Sequence, residues 1–152
     1  MDEKKIRKWK ICWYCDVKTV YIRTKSLYVR EWYSSSMASF FEKNNYWSKM
    51  CPRCWAYVWC HKQWRVPKGR VAQKELRLLK IEAHKYFDFL WQKKIEITWA
   101  DKVEVRKSWY RWLAEKMGIA EEDMHIGMFN EEECRKVIEI CKPYVVKIET
   151  LW

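Results

Sequence analysis

The hydrophobic pattern of this chain changes character near residue 70. Before that point the apolar positions are mostly Val, Ile, Tyr and Trp in short runs, the habit of strands. Residues 17–30 predict one or two strands, and residues 55–61 (WAYVWCH) predict another. Residues 31–49 are polar and aromatic and read as a loop with a short helix. Residues 62–70 (KQWRVPKGR) form a basic turn around Pro67 and Gly69. After it the period becomes helical: Leu76, Leu79, Ala83, Phe87 and Leu90 recur at steps of three and four, giving a helix over residues 71–91. A second helix spans residues 103–117, with Val105, Trp109, Trp112, Leu113 and Lys116 on or beside one stripe, and Gly118 ends it. Asn130 followed by Glu133 marks the start of a third helix, residues 131–141, with Pro143 past its end. The tail 144–149 is expected as a last strand. There is no internal repeat apart from two short cysteine motifs, and no low-complexity tract.

Those motifs, Cys12-Trp-Tyr-Cys15 and Cys51-Pro-Arg-Cys54, sit on the strand-forming side of the chain. A CxxC turn brings two thiolates to one side of a tight knuckle, and two knuckles complete a tetrahedron around zinc at ~2.3 Å per bond. The 35 residues between Cys15 and Cys51 exceed the ~15–20 usual in zinc ribbons. The gap fits if residues 31–49 are inserted between two strands. Four thiolates leave no coordination position for a catalytic water, so the expected role is one structural zinc. Buried free cysteines and a redox pair are the competing readings. Cys60 and His61 lie close enough in sequence to replace one ligand, whereas Cys134 and Cys141, seven apart on the third helix, read as core.

Charge follows the same division. The net charge is +11, yet residues 1–85 hold 20 Lys and Arg against 7 Asp and Glu, and residues 86–152 hold 11 against 13. The basic half is the one with the cysteines, which points to a polyanionic partner, nucleic acid, docking there. A merely solvated basic face is the plain alternative. Twelve tryptophans are more than a chain of 152 residues can bury completely, so some belong to a binding surface. No apolar run approaches the ~18 residues of a membrane-spanning helix. The start, MDEKKIRKWK, lacks the apolar segment of a signal peptide. The expected setting is a reducing cytoplasm, with no membrane partner. Only 3 Gly and 3 Pro leave little room for a long linker, so residues 1–152 read as one domain, with a zinc lobe at 11–61 and a helical region at 71–142.

A string of motifs in order carries a resemblance: CWYC, CPRCWAYVWCHK, PKGRVAQKELR, AHKYFDFLW, WYRWLAEKMGI, and MHIGMF followed by the Cys134 helix. Together they span about residues 12–141, and the chain resembles a family of phage and prophage proteins, the zinc-finger-containing domain family. It departs from that family's pattern at Trp59 and Cys60, just before His61, and in the longer segment between the cysteine pairs. The resemblance implies zinc and a phage or prophage source. It supplies no activity.

Two further groups remain. His84 and Asp88, at i and i+4, can share a helix face, where they suit a general base or a second metal with His61 or His125. Arg70 and Arg77 would then hold a phosphate, as in a nuclease. The plainer reading is that the three histidines tie elements together by hydrogen bonds. The basic run Lys62, Arg65, Lys68, Arg70, Lys74, Arg77, Lys80 and Lys85 is the other. It follows Trp55, Tyr57, Trp59 and Trp64, and alternate strand residues such as Trp55, Tyr57 and Trp59 would share one face. Such a face beside a basic stripe suits single-stranded nucleic acid, or else it is the core beneath the helix. The fold expected is α+β, a zinc-ribbon-like β lobe packed with about three α-helices. The function expected is nucleic-acid binding around a structural zinc, without catalysis. The alternatives are an interaction protein that blocks a host protein and, behind it, a nuclease-like enzyme built on His84.

Overall fold

The computed structural model describes residues 8–28, 39–40, 43, 46–62 and 65–150. The chain divides into two compact units, Met1–Lys74 and Glu75–Trp152. The fold is α+β, a small antiparallel sheet and, among the described residues, four helices.

The first unit holds strands β1 (Val20–Arg23), β2 (Trp47–Met50) and β3 (Tyr57–Trp59), and a single helical turn α1 (Lys25–Tyr28). The sheet order is β1-β2-β3, antiparallel throughout. Val20 pairs with Met50 and Arg23 with Trp47, while Ser48 pairs with Trp59 and Met50 with Tyr57. This register puts Met50 and Tyr57 on one face, where they bury with Leu27 against Ile22 and Tyr46. The hydroxyls of Thr24 and Ser48, both buried, satisfy one another at 2.9 Å.

Of the one or two strands expected in residues 17–30, the described residues form one, β1, because Thr24 turns the chain and Leu27 comes back over the sheet as part of α1. Two other expectations for this unit change. The end of the loop expected at 31–49 is instead strand β2, whose alternation of Trp47, Ser48, Lys49 and Met50 buries every second residue. Much of that loop, including residues 31–38, lies outside the described residues, as does Trp64. Trp55 precedes β3 and does not alternate with Tyr57 and Trp59.

The second unit is helical. Helix α2 (Lys74–Thr98) begins at the end of the first unit and runs past the Trp91 expected as its limit. It buries Leu76, Ala83, Phe87, Leu90 and Trp91. Helix α3 (Lys102–Met117) is capped at both ends. The Asp101 carboxylate accepts from the backbone N–H groups of Val103 and Glu104 at 2.9 and 3.0 Å. Gly118, left-handed at φ 70, closes the other end by donating to Ala114 and Glu115 carbonyls. Two short 3₁₀ turns, Glu121–Asp123 and Ile126–Met128, lead to helix α4 (Glu131–Thr150). Its start is a reciprocal capping box: Asn130 Oδ1 accepts from Glu133 N–H, and Glu133 Oε2 from Asn130 N–H, each at 2.8 Å.

The tail expected as a strand is the continuation of α4, which passes through Pro143. The buried stripe explains this: Cys134, Val137, Cys141 and Val145 keep helical spacing across the proline. Pro143 itself is exposed, so its ring meets solvent. Aromatic pairs tie the helices together, Phe87 with Tyr110 at 4.7 Å and Trp112 with Tyr144 at 5.4 Å between ring centroids. No helix of the described residues is long and apolar enough to cross a membrane.

Candidate metal centre

Each CxxC motif is the tip of a hairpin. The first lies between Ile11 and Lys18, which form an antiparallel bridge, and the second between β2 and β3. The two tips repeat one another bond for bond. Cys12 N–H donates to Val17 O at 2.9 Å, and Cys51 N–H to Ala56 O at 2.8 Å. Asp16 N–H returns to Cys12 O, and Trp55 N–H to Cys51 O, both at 3.0 Å. Asp16 (φ 54) and Trp55 (φ 63) are both left-handed, the turn a knuckle needs and a conformation that favours glycine.

The repetition extends to the sulfurs. Tyr14 N–H points at Cys12 Sγ at 3.4 Å, and backbone N–H groups of Arg53 and Cys54 point at Cys51 Sγ. Such donors favour a thiolate. The four Sγ atoms of Cys12, Cys15, Cys51 and Cys54 lie within 4.8 Å of one another, with Cys12 and Cys54 at 3.5 Å. A tetrahedron with bonds of ~2.3 Å has edges of ~3.8 Å, so one zinc ion fits among them. The 3.5 Å separation is far beyond a disulfide bond, and all seven cysteines are free thiols.

Cys12 and Cys51 are fully buried, packed with Ala56 and Val71 and flanked by Cys15, Val17, Cys54 and Val58. Without a metal, burial pushes the Cys12 thiol up to about 12 and raises Cys15 as well. For Cys51 burial also works upward, but the N–H donors and the Cys12 and Cys54 thiols outweigh it and the net shift is downward. Buried thiols clustered this closely, with backbone donors already aimed at them, are a donor set for a soft, closed-shell cation. Four cysteines close the coordination sphere, so the ion is structural.

The family model of a zinc-finger-containing domain matches residues 8–144. The chain belongs to this family. The match spans both units, so the helices are part of the family domain along with the zinc knuckles. No curated protein and no solved structure matches the chain significantly.

Beyond the four ligands, this zinc-finger-containing protein has three further cysteines and three histidines. Among the described residues the four cysteines are the only such group of metal-ligating side chains. Cys60 is buried outside it; burial raises its thiol, with Lys49 and Lys68 opposing. Cys134 and Cys141 are fully buried along α4, and burial pushes Cys141 up to about 12. His84 Nδ1 lies 3.8 Å from Asp88 Oδ2, while Trp91 Nε1–H donates to the other Asp88 oxygen at 2.8 Å. Burial lowers the His84 pKa against the pull of Asp88, and His125, Arg106 and Lys80 lower it further.

The basic residues singled out from sequence fall into different environments. Lys62, Arg65, Lys68 and Lys74 are exposed, and Arg77 and Lys80 are half-buried. Lys80 Nζ donates to Gly127 O at 2.7 Å, which ties α2 to the second 3₁₀ turn. Arg70 is buried, its guanidinium 4.5 Å from the Trp13 ring. Of the three aromatic positions, Tyr57 is core, and Trp55 and Trp59 are exposed.

A second grouping escaped the sequence reading. Arg65 lies over Trp47, and so does Arg23 of β1, while Lys49 lies over Tyr21. The available signal was the alternation Tyr21-x-Arg23 and Trp47-x-Lys49, an aromatic and a cation on one face of each strand. The polar residues around Tyr46 and Trp47 read as loop, and a loop has no alternating faces on which such a pattern shows.

Proposed function

We propose that this protein binds nucleic acid through its cysteine-bearing unit, with zinc as a structural staple and no catalytic step. The observation that carries the reading is charge. Among the described residues of this unit, Asp16 is the single carboxylate side chain, against 13 Lys and Arg. Over the whole of Met1–Lys74 the count is 17 Lys and Arg against 5 Asp and Glu, whereas Glu75–Trp152 has 14 against 15. A field of one sign concentrated in one unit attracts a polyanion and releases its counterions. Lys62, Arg65, Lys68 and Lys74 are the exposed members of the basic run in this unit; Arg70 is buried beside Trp13, and Arg77 and Lys80, the last members of the run, belong to the second unit. The phage or prophage setting implied by the family resemblance, and a host-cell cytoplasm, belong to this same reading.

The test is a triple change, Lys62→Ala, Lys68→Ala and Lys74→Ala, which avoids the buried Arg70. Affinity for single-stranded DNA, double-stranded DNA and RNA is measured at physiological salt. The reading expects at least one polymer to bind in the micromolar range or tighter and the triple variant to lose most of that affinity. Unchanged binding by the variant would remove these lysines from the interface.

The second reading, a protein that binds and blocks a host protein, draws on the other unit. Trp99 is 91% exposed, and Ile97 and Val103, near it along the chain, are exposed too, large apolar side chains of the kind that anchor protein interfaces. Binding to a defined protein that persists at high salt would favour it. A nuclease-like role for His84 has less support, because one Asp88 oxygen is engaged by Trp91.

A further inference from the structure

Helix α3 carries cations along one side. Lys102, Arg106 and Tyr110 stand four residues apart and share a face, with Val103 and Lys107 one step round the helix. This side of α3 and the first 3₁₀ turn border a surface groove of about 480 Å³, a size ordinary for a small-molecule site. Tyr110, Met124 and Val103 supply its apolar lining, and Lys102, Arg106 and Lys107 its positive charge. All three cations are exposed, and Val103 is 69% exposed, so the groove is open to solvent. Its one carboxylate, Glu121, is already engaged: Arg111, which does not line the groove, donates to it at 3.2 Å. The positive charge is therefore not neutralised from within. This happens in a unit whose 14 Lys and Arg are outnumbered by 15 Asp and Glu.

Arg106 gives one N–H to the Tyr110 hydroxyl at 3.4 Å, and its guanidinium carbon lies 5.3 Å from the centre of that ring. The Arg106 guanidinium carbon and the Lys102 ammonium lie 5.9 and 5.8 Å from the centre of the Trp91 ring of α2. These contacts place the arginine fork while leaving it further N–H donors. The ammonium groups of Lys102 and Lys107 have no hydrogen-bond or ion-pair partner among the described residues. A carboxylate ligand would offer such a set one charge and two oxygens. A phosphate monoester offers about −1.5 to −2 and three terminal oxygens, two of which match the arginine fork. The lining of Tyr110, Met124 and Val103 suits a flat, apolar body beside that group. We propose that this groove binds a phosphate monoester carried on such a body, the chemistry of a nucleoside 5′-phosphate, free or at the end of a strand. The site lies in the helical unit, so it stands or falls separately from the nucleic-acid reading of the cysteine-bearing unit.

The test is isothermal titration calorimetry of the full, zinc-loaded chain with adenosine 5′-monophosphate, adenosine and inorganic phosphate. The monophosphate is expected to bind with a submillimolar Kd. Adenosine and inorganic phosphate, each lacking half of what the groove complements, are expected to bind about tenfold more weakly or worse. Lys102→Gln with Lys107→Gln is expected to weaken the monophosphate about tenfold or more, through the loss of two charge-assisted contacts. Both lysines are exposed, and circular dichroism checks the fold of the variant. Arg106→Lys keeps the charge without the fork and is expected to lose affinity several-fold. The Lys62, Lys68 and Lys74 triple alanine variant of the other unit is expected to bind the monophosphate as the wild type does. A short oligodeoxynucleotide with and without a 5′-phosphate separates the two sources: a preference for the phosphorylated strand that the Lys102 and Lys107 changes abolish assigns the site to a strand end, and its absence beside a bound monophosphate assigns it to a free nucleotide. Failure of both the monophosphate and the phosphorylated strand to bind, or wild-type affinity in both groove variants, overturns the proposal and leaves the nucleic-acid reading standing. Inorganic phosphate bound as well as the monophosphate overturns the apolar body, and a monophosphate lost in the triple alanine variant overturns the placement in this groove.

Discussion

Stripping the metal with a chelator should unfold the strands and leave the helices in place. Among the described residues, the apolar side chains that the cysteine-bearing unit buries around its sheet are Leu27, Met50 and Tyr57 in one cluster. Its second cluster is largely the metal site itself: Cys12 and Cys51 with Ala56 and Val71, against Cys15 and Cys54. Binding free energies of structural zinc in small peptides are ~10–16 kcal/mol at neutral pH. Whole domains are stable by only ~5–15 kcal/mol. Loss of the ion thus removes about as much free energy as a complete domain has in hand, and it removes it from a unit in which one of the two described clusters is largely the metal site itself. In Glu75–Trp152 the caps, the aromatic pairs and the Lys80 and Lys136 bonds to backbone carbonyls involve no metal ligand. Hydrogen exchange followed by mass spectrometry reads the two units separately. Peptides covering β1, β2 and β3 should lose protection on chelation and regain it when zinc is restored, while peptides from α3 and α4 keep theirs. Strands that remain protected without metal would refute the reasoning.

The cap of α4 offers a smaller, local test: Asn130→Ala removes one half of the reciprocal box and should cost ~1 kcal/mol in denaturant unfolding, and no loss would mean that the box is idle. His84 predicts a pH dependence. Burial lowers its folded-state pKa below the ordinary 6.5, so the unfolded chain binds the proton more readily. Its contribution is complete above about 6.5 and is lost as the pH falls from there through the folded value. Thermal unfolding of wild type and His84→Gln between pH 7.5 and 5 (about that range) should show the variant less sensitive to acid, and parallel curves would assign the sensitivity to other groups.

Much of this architecture was open to a reading of residue types. The zinc ligands were legible because CxxC imposes its own local geometry, whatever surrounds it. The helices were legible where their apolar stripes were regular and their caps explicit, as at Gly118 and Asn130. Failures came where a local preference met a tertiary demand. Pro143 and the β-branched tail argued against helix, yet the stripe ending at Val145 holds them in α4. Tyr46 and Trp47, read as loop by their polar neighbours, sit beside and in the central strand of the sheet, and without β2 the pairing of Arg23 with Trp47 cannot be read. Arg70 looked like a phosphate ligand by charge alone; only the fold tells that it is buried on Trp13. Nor does sequence show that Asp16 and Trp55 are equivalent, since nothing in their side chains announces the left-handed turn each makes after its second cysteine.

The central claim, that the cysteine-bearing unit is a zinc-stapled surface for nucleic acid, is tested most directly by the salt dependence of binding by the intact, zinc-loaded protein. The account predicts that log K falls linearly as log salt rises, with a slope of several units, each phosphate contact adding ~0.7 for single strands or ~0.9 for duplex. Absence of binding at physiological salt, or an affinity indifferent to salt, would contradict it.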